Sequence, residues 1–124
     1  TNAIENNYLY LDSTISPSSL NLPFYNEVNF LAPYGSGNIE PKFLIENLKV
    51  ISSTIVGENH IKSILLGKDG HAFKTFTWNA KNTPLETYLN TNTRKKINIV
   101  GKMKLNEWRG ERKVEFSIED ISIN

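Results

Sequence analysis

The sequence predicts a mainly β fold, a five-stranded barrel with an N-terminal helical extension. Three observations carry this reading. Residues 42–124 break into five apolar or alternating runs separated by turn signals, one short helical turn falls between the third and fourth runs, and the first run, at about 14 residues, exceeds an ordinary flat strand. A length of 124 residues admits one compact domain, or one domain with a short appendage. With 39% apolar and 22% charged residues, it has the composition of a soluble domain with a modest core.

Taken in order, Tyr8-Leu9-Tyr10-Leu11 reads as a short strand with little of its own to pair with, the expected remnant of something larger. Ser16-Pro17-Ser18-Ser19 is a loop. Pro23 then stands where a first helical turn tolerates proline, and Phe24, Val28 and Leu31 share one face, predicting a helix of two to three turns. Pro33 to Pro41 is the densest turn signal in the chain and marks a junction.

The first barrel strand is expected from Phe43 to Val56, long and strongly bent, and Gly57-Glu58-Asn59 turns it. The second runs from His60 to Leu66, and the Gly67-Lys68-Asp69-Gly70 turn joins it to a third from Ala72 to Trp78. Register in the second strand is open, because Ile61 with Leu65 and Ile64 with Leu66 are both credible inward pairs. Pro84 to Leu89 offers one helical turn with Thr83 as N-cap. In the fourth strand, Lys96 to about Leu105, Ile97, Ile99, Met103 and Leu105 oppose Lys96, Lys102 and Lys104, with Gly101 where tight curvature wants it. A turn over Asn106–Glu111 leads to the fifth strand, where Val114, Phe116 and Ile118 alternate with Lys113, Glu115, Ser117 and Glu119. Three strands, a helix and two strands is the order of an OB-fold; an SH3-like barrel is the second choice because it does not want its helix there.

Charge is divided along the chain. Residues 1–41 hold four acids and no Lys or Arg, whereas residues 42–124 hold all 14 basic residues against nine acids. Two parts are expected, residues 1–41 and a basic barrel over 42–124. The absence of cysteine removes disulfides and thiolate chemistry, and two histidines with three scattered aspartates make a poor source of metal ligands. No nucleotide-binding or hydrolase motif is present; Gly35-Ser36-Gly37 lacks the Lys-Ser/Thr that would follow in a phosphate loop. Glu119 and Asp120 read as a solvated strand end. Neither a long apolar segment nor a secretory signal pattern appears, which leads to the expectation of a cytoplasmic protein. Beginning at Thr1, the chain is expected to be a piece of a longer protein.

Binding is better supported than catalysis. OB barrels use the face of their second and third strands and the adjoining loops for oligonucleotides. His60, Lys62 and Lys74 fall on those strands, Trp108, Arg109 and Arg112 fall in or beside the loop between the fourth and fifth, and Arg94, Lys95 and Lys96 cluster before the fourth. With Lys102 and Lys104, they form the candidate nucleic-acid surface, in which cations meet phosphates and Trp108 is the favoured stacking or wedge residue. The plainer reading is that lysines opposite apolar residues are what any solvated strand shows, and that a loop tryptophan folds back over the barrel end.

A family resemblance sharpens this. Leu31-Ala32-Pro33-Tyr34-Gly35-Ser36-Gly37-Asn38-Ile39-Glu40-Pro41-Lys42-Phe43 is similar to the L-x-P-F-G-x-G-N-x-E-P-x-F stretch of the RecJ family of single-strand-specific 5′ to 3′ DNA exonucleases. Val56-Gly57-Glu58-Asn59-His60-Ile61-Lys62 resembles its V-G-x-x-H-L-K, Asn106-Glu107-Trp108-Arg109-Gly110 its N-E-W-x-G, and Glu119-Asp120-Ile121 its closing D-I. Departures are Tyr34, Ser36, Ile39, Phe76 and Trp78, the last two standing where the family tends to have other apolar residues. The resemblance implies the C-terminal OB-fold domain of such an enzyme, with residues 1–41 as a remnant of the preceding DHHA1-type domain plus a linker helix. It further implies single-stranded DNA and the upstream DHH and DHHA1 domains as partners. No cofactor is expected in this chain, since the Mn²⁺ or Mg²⁺ of the family belongs to the catalytic domain upstream. The segment is then expected to guide DNA in repair and recombination without cutting it alone. Two other classes stay open: an interdomain or protein-interaction module, suggested by the modest net charge, and an enzyme in its own right.

Overall fold

The 15-residue strand β2, Lys42–Val56, is the element around which the rest closes. In a computed structural model of the chain, the described residues are 11–31, 41–89 and 95–123, with side chains described for all of these except 11–13 and 31. The first half of β2 pairs antiparallel with β5, Ile97–Trp108, and its second half pairs antiparallel with β3, His60–Leu66. One strand therefore serves two sides of the barrel, which is why it is long and bent. Its bend has a visible cause. Phe43 and Ile45 are buried, and so are Leu48 and Val50, a change of parity that a strict two-residue period forbids. A bulge between Ile45 and Leu48 absorbs the extra residue, with Asn47 at a φ of 58° and its N–H donating to Asn98 Oδ1 at 3.0 Å.

β3 continues antiparallel to β4, Ala72–Thr77, and β4 meets β6, Glu111–Ile123, in parallel at Thr75–Phe116 and Phe76–Ser117. β6 pairs with β5, and the β5–β2 pairing closes the ring in the order β2-β3-β4-β6-β5. Inside lie Ile45, Leu48, Leu65, Ile97, Ile99 and Phe116, all fully buried. A short helix, α2 (Pro84–Tyr88), precedes Leu89, whose side chain is buried in the core while its carbonyl accepts the Ser53 hydroxyl at 2.6 Å. Thr83 occupies the N-cap position, but its hydroxyl donates back to the Ala80 carbonyl rather than capping forward.

The N-terminal segment packs on this ring. β1 (Leu11–Thr14) adds as a parallel edge strand to the start of β2, and the helix α1 (Leu22–Leu31) follows a 3₁₀ turn over Pro17–Ser19. Asn21 caps α1, its Oδ1 accepting the Phe24 N–H at 2.9 Å. Phe24, Tyr25 and Val28 rest on the core, and the Phe24 ring lies 5.8 Å from that of Phe43. Tyr8-Leu9-Tyr10 and the Pro33–Glu40 turn lie outside the described residues.

The 3₁₀ turn is held by Asp69 from the β3–β4 turn. Its carboxylate accepts the His71 N–H at 3.0 Å and the Ser18 N–H at 3.2 Å, and Pro17 sits over Gly67 so closely that a Cβ there would come within 2.4 Å of Pro17 Cγ. The His71 N–H first, then that of Ser18, holds the Asp69 carboxyl below the ordinary Asp value. A carboxyl depressed in the folded state stabilises above the unfolded value, and that stability is lost as pH falls through the folded one. Asp69→Asn is therefore expected to lower the thermal midpoint at neutral pH, the difference shrinking below about pH 4. A gap that persists undiminished at lower pH would remove the ionised Asp69 from this role.

Candidate nucleic-acid interface

Alternation along β3 and β4 resolves the register. Ile61, Ser63 and Leu65 of β3, with Phe73, Thr75 and Thr77 of β4, are buried inward. Lys62, Ile64, Lys74 and Phe76 therefore stand on the outer face, where Lys62 pairs across with Phe76 and Ile64 with Lys74. Trp78 follows one residue beyond β4 and is 61% exposed. Its ring lies 4.6 Å edge-on from Phe76 and 4.7 Å from His60, and His60 lies 5.7 Å from Phe76. Three rings thus form one cluster on the barrel wall.

The cluster is braced from below. Asn79, at a φ of 52°, donates its N–H to His60 Nδ1 at 3.0 Å, which leaves Nε2 as the donor nitrogen of that ring. Lys81 N–H bonds to the Asn59 carbonyl at 3.0 Å, tying the loop after β4 to the β2–β3 turn. Lys62 and Lys74 are exposed and, among the described residues, pair with no carboxylate. On its other side Trp78 borders an open groove of about 350 Å³ with Lys102 and Lys104 of β5.

The remaining expected residues separate into three groups. Lys102 is half-buried and lies 3.4 Å from Glu119, which Lys42 holds from the other side at 2.6 Å. Glu119 is thus a clamped bridge between β2 and β5, not the solvated strand end the sequence suggests. Lys104 is exposed on β5, as are Lys95 and Lys96 just before it, while Arg94 lies outside the described residues. The third group sits on the β5–β6 hairpin. There the expected turn over Asn106–Glu111 is corrected: β5 runs on to Trp108, which pairs with Glu111, and only Arg109 and Gly110 turn, with φ of 52° and 81°. Two positive φ values match the twist of the strands, as in a type I′ turn. Trp108 is 64% exposed with the Arg109 guanidinium 5.3 Å from its ring centre, and Arg112 faces Glu107 at 3.7 Å.

The sequence puts His60, Lys62 and Lys74 on the candidate strands with the face of Lys62 open, and it leaves Phe76 and Trp78 out of the candidate surface. The signal was present: Lys74, Phe76 and Trp78 share parity, so a solvated Lys74 carries both aromatic residues outward. Among the described residues no group of three or more His, Asp or Glu side chains that could hold a metal ion comes together.

A mainly antiparallel five-stranded ring, bent in its first strand and carrying a helix between its third and fourth, defines an OB-fold domain. The family model of the RecJ OB domain matches residues 11–120, and the chain belongs to that family. Among solved structures, it is similar to RecJ from Thermus thermophilus in complex with Mn²⁺, with a TM-score of 0.57 and 23% identity, over 86% of this chain and 14% of that one. That likeness is one of fold, and the chain spans only this small part of the Thermus protein. The mitochondrial single-stranded DNA binding protein Rim1 of S. cerevisiae is more distant, with a TM-score of 0.49 and 13% identity over 66% of this chain and 91% of that one. No curated protein matches the chain. None of the helices among the described residues is long and apolar enough to cross a membrane.

Proposed function

We propose that this domain binds single-stranded DNA across the outer face of β3 and β4 and guides it for a RecJ-type exonuclease in DNA repair and recombination. The observation that carries the reading is the surface cluster of exposed Trp78 with half-buried His60 and Phe76, beside Lys62 and Lys74, which pair with no carboxylate among the described residues. Unpaired bases need aromatic faces, and the phosphates between them need cations at their flanks. Duplex DNA hides its base faces, so a single strand is the better fit. In this reading the chain cuts nothing itself: Mn²⁺ or Mg²⁺ and its ligands belong to a catalytic DHH domain of the same cytoplasmic protein, and residues 1–41 join the barrel to a DHHA1-type neighbour.

Fluorescence anisotropy with single- and double-stranded oligonucleotides tests this directly. Contacts to about four phosphates predict a slope near −3 for log affinity against log salt, with single strands preferred. Equal binding of duplex, or no salt dependence, would overturn the proposal. A second reading, an interdomain docking module, has its own observation: Phe30 on α1 is 83% exposed, and Ile51 and Ile55 on β2 are 47% and 45% exposed. No single-strand binding by a folded chain would favour it.

A further inference from the structure

We propose that the nucleic-acid path continues beyond the aromatic cluster into a groove between the N-terminal segment and the β5–β6 hairpin, so that residues preceding α1 form one wall of it. This rests on the single-stranded DNA reading above. The link is Lys74. It stands on the same face of β4 as Phe76 and Trp78, and it also lines an open groove of about 670 Å³. Trp78 to Lys74 is four residues of extended chain, about 13 Å, so one strand running along β4 passes from the rings to the groove without changing face.

The groove has the chemistry of a nucleotide site. Half-buried Leu22 and Val114 give it apolar surface, and Lys74, Arg112 and Lys113 give it cations. The carboxylate among its lining residues is Glu115, which accepts a bond from Asn106 Nδ2 at 3.0 Å. Arg112 and Lys113 face Glu107 and Glu111 at 3.7 and 3.8 Å, with all four side chains at least half exposed. Pairs this long and this wet hold little, and they yield to a phosphate. The opposite wall is fixed in place: Pro17 lies against Gly67, Ser18 N–H is held by Asp69, and Asn21 caps the helix behind them. Cations on one side, apolar surface between and a rigid wall opposite suit the backbone and bases of the same DNA strand better than an acidic or purely apolar partner.

The test uses the whole chain with two labelled oligothymidylates, one of about six nucleotides, matching the ring cluster, and one of about fifteen, long enough for both regions. For the Arg112→Gln/Lys113→Gln double variant, affinity for the short strand is expected to stay unchanged. Its salt slope on the long strand is expected to fall by about 1.4, the share of two phosphates. Trp78→Ala should weaken both strands. If the double variant binds the long strand with wild-type affinity and slope, the groove is free for another occupant and the inference fails. Equal loss on both lengths overturns it too, because the two charges then act as a general field. If Trp78→Ala changes neither strand while the double variant is impaired only on the long one, the groove stands and the ring cluster falls.

Discussion

Replacing Gly101 with alanine is expected to destabilise the barrel by about 3 kcal/mol or more, at or beyond the upper end of ordinary overpacking. A Cβ at this position would lie 1.9 Å from the Ser117 carbonyl oxygen, 2.9 Å from the carbon of that carbonyl and 3.0 Å from the Phe116 ring. The first two are backbone atoms of the neighbouring strand, so no rotamer change relieves the contact. Gly101 also sits at the β5–β6 register shift, where Val100 pairs with Asp120 but Gly101 pairs with Ile118. Glu119 is the residue left over, and it is the one clamped between Lys42 and Lys102. The curvature that closes β5 onto both β2 and β6 therefore passes through a backbone approach that admits no side chain. At about 4 °C per kcal/mol for a domain of this size, the thermal midpoint should drop by roughly 10 °C or more. A midpoint within about 3 °C of wild type would show that the strands separate more easily than their pairing implies.

Gly101 was legible in the sequence because a glycine amid Ile97, Ile99, Met103 and Leu105 has no reason to stand in a flat strand. Periodicity likewise gave the strand order, the helix begun around Pro23 and the short helix before the fourth barrel strand. What escaped were features decided by tertiary pairing. The bulge at Asn47 leaves little trace, since an asparagine in a strand reads as a polar outward residue. It is recognisable only because Ile45 and Leu48 both face inward. The hairpin turn reads too long because Asn106, Glu107 and Glu111 are polar. Beyond the barrel both faces of β5 and β6 meet water, so no apolar alternation marks where those strands end.

The site followed the same logic. Lys62 had two possible faces until Ile61 and Leu65 were found inside together with Ser63, a polar residue that hydrophobic pattern alone does not place inward. Ser63 is tolerated there because its hydroxyl meets that of Ser53 at 3.0 Å, and Ser53 in turn reaches the Leu89 carbonyl. Inward threonines on β4 hid the aromatic residues in a similar way. With Thr75 and Thr77 inward, Phe76 and Trp78 take the outer parity, Phe76 half-buried and Trp78 exposed. The exposure of Trp78 is a consequence of the barrel filling its interior with small hydroxyl side chains at that end.

That exposure gives the largest expected functional effect. Trp78→Ala should weaken single-strand binding by about 1–3 kcal/mol, roughly five- to 150-fold, through loss of one base stack. The fold should survive, because a ring 61% exposed leaves no interior cavity when removed. Trp108, the tryptophan favoured by loop position, is the control. The Arg109 guanidinium already lies 5.3 Å from its ring centre, and it stands beside the two-residue turn of the β5–β6 hairpin, whereas Trp78 is presented by the Phe76 and His60 rings. Trp108→Ala should therefore have the smaller effect on short strands. The chain contains two tryptophans, so a Trp108→Phe variant makes intrinsic fluorescence a report on Trp78 alone. Quenching of that signal on adding oligothymidylate, saturating with the anisotropy change, is expected if a base stacks there. Binding without quenching, together with a larger loss from Trp108→Ala than from Trp78→Ala, would move the interface from the barrel wall to the hairpin tip.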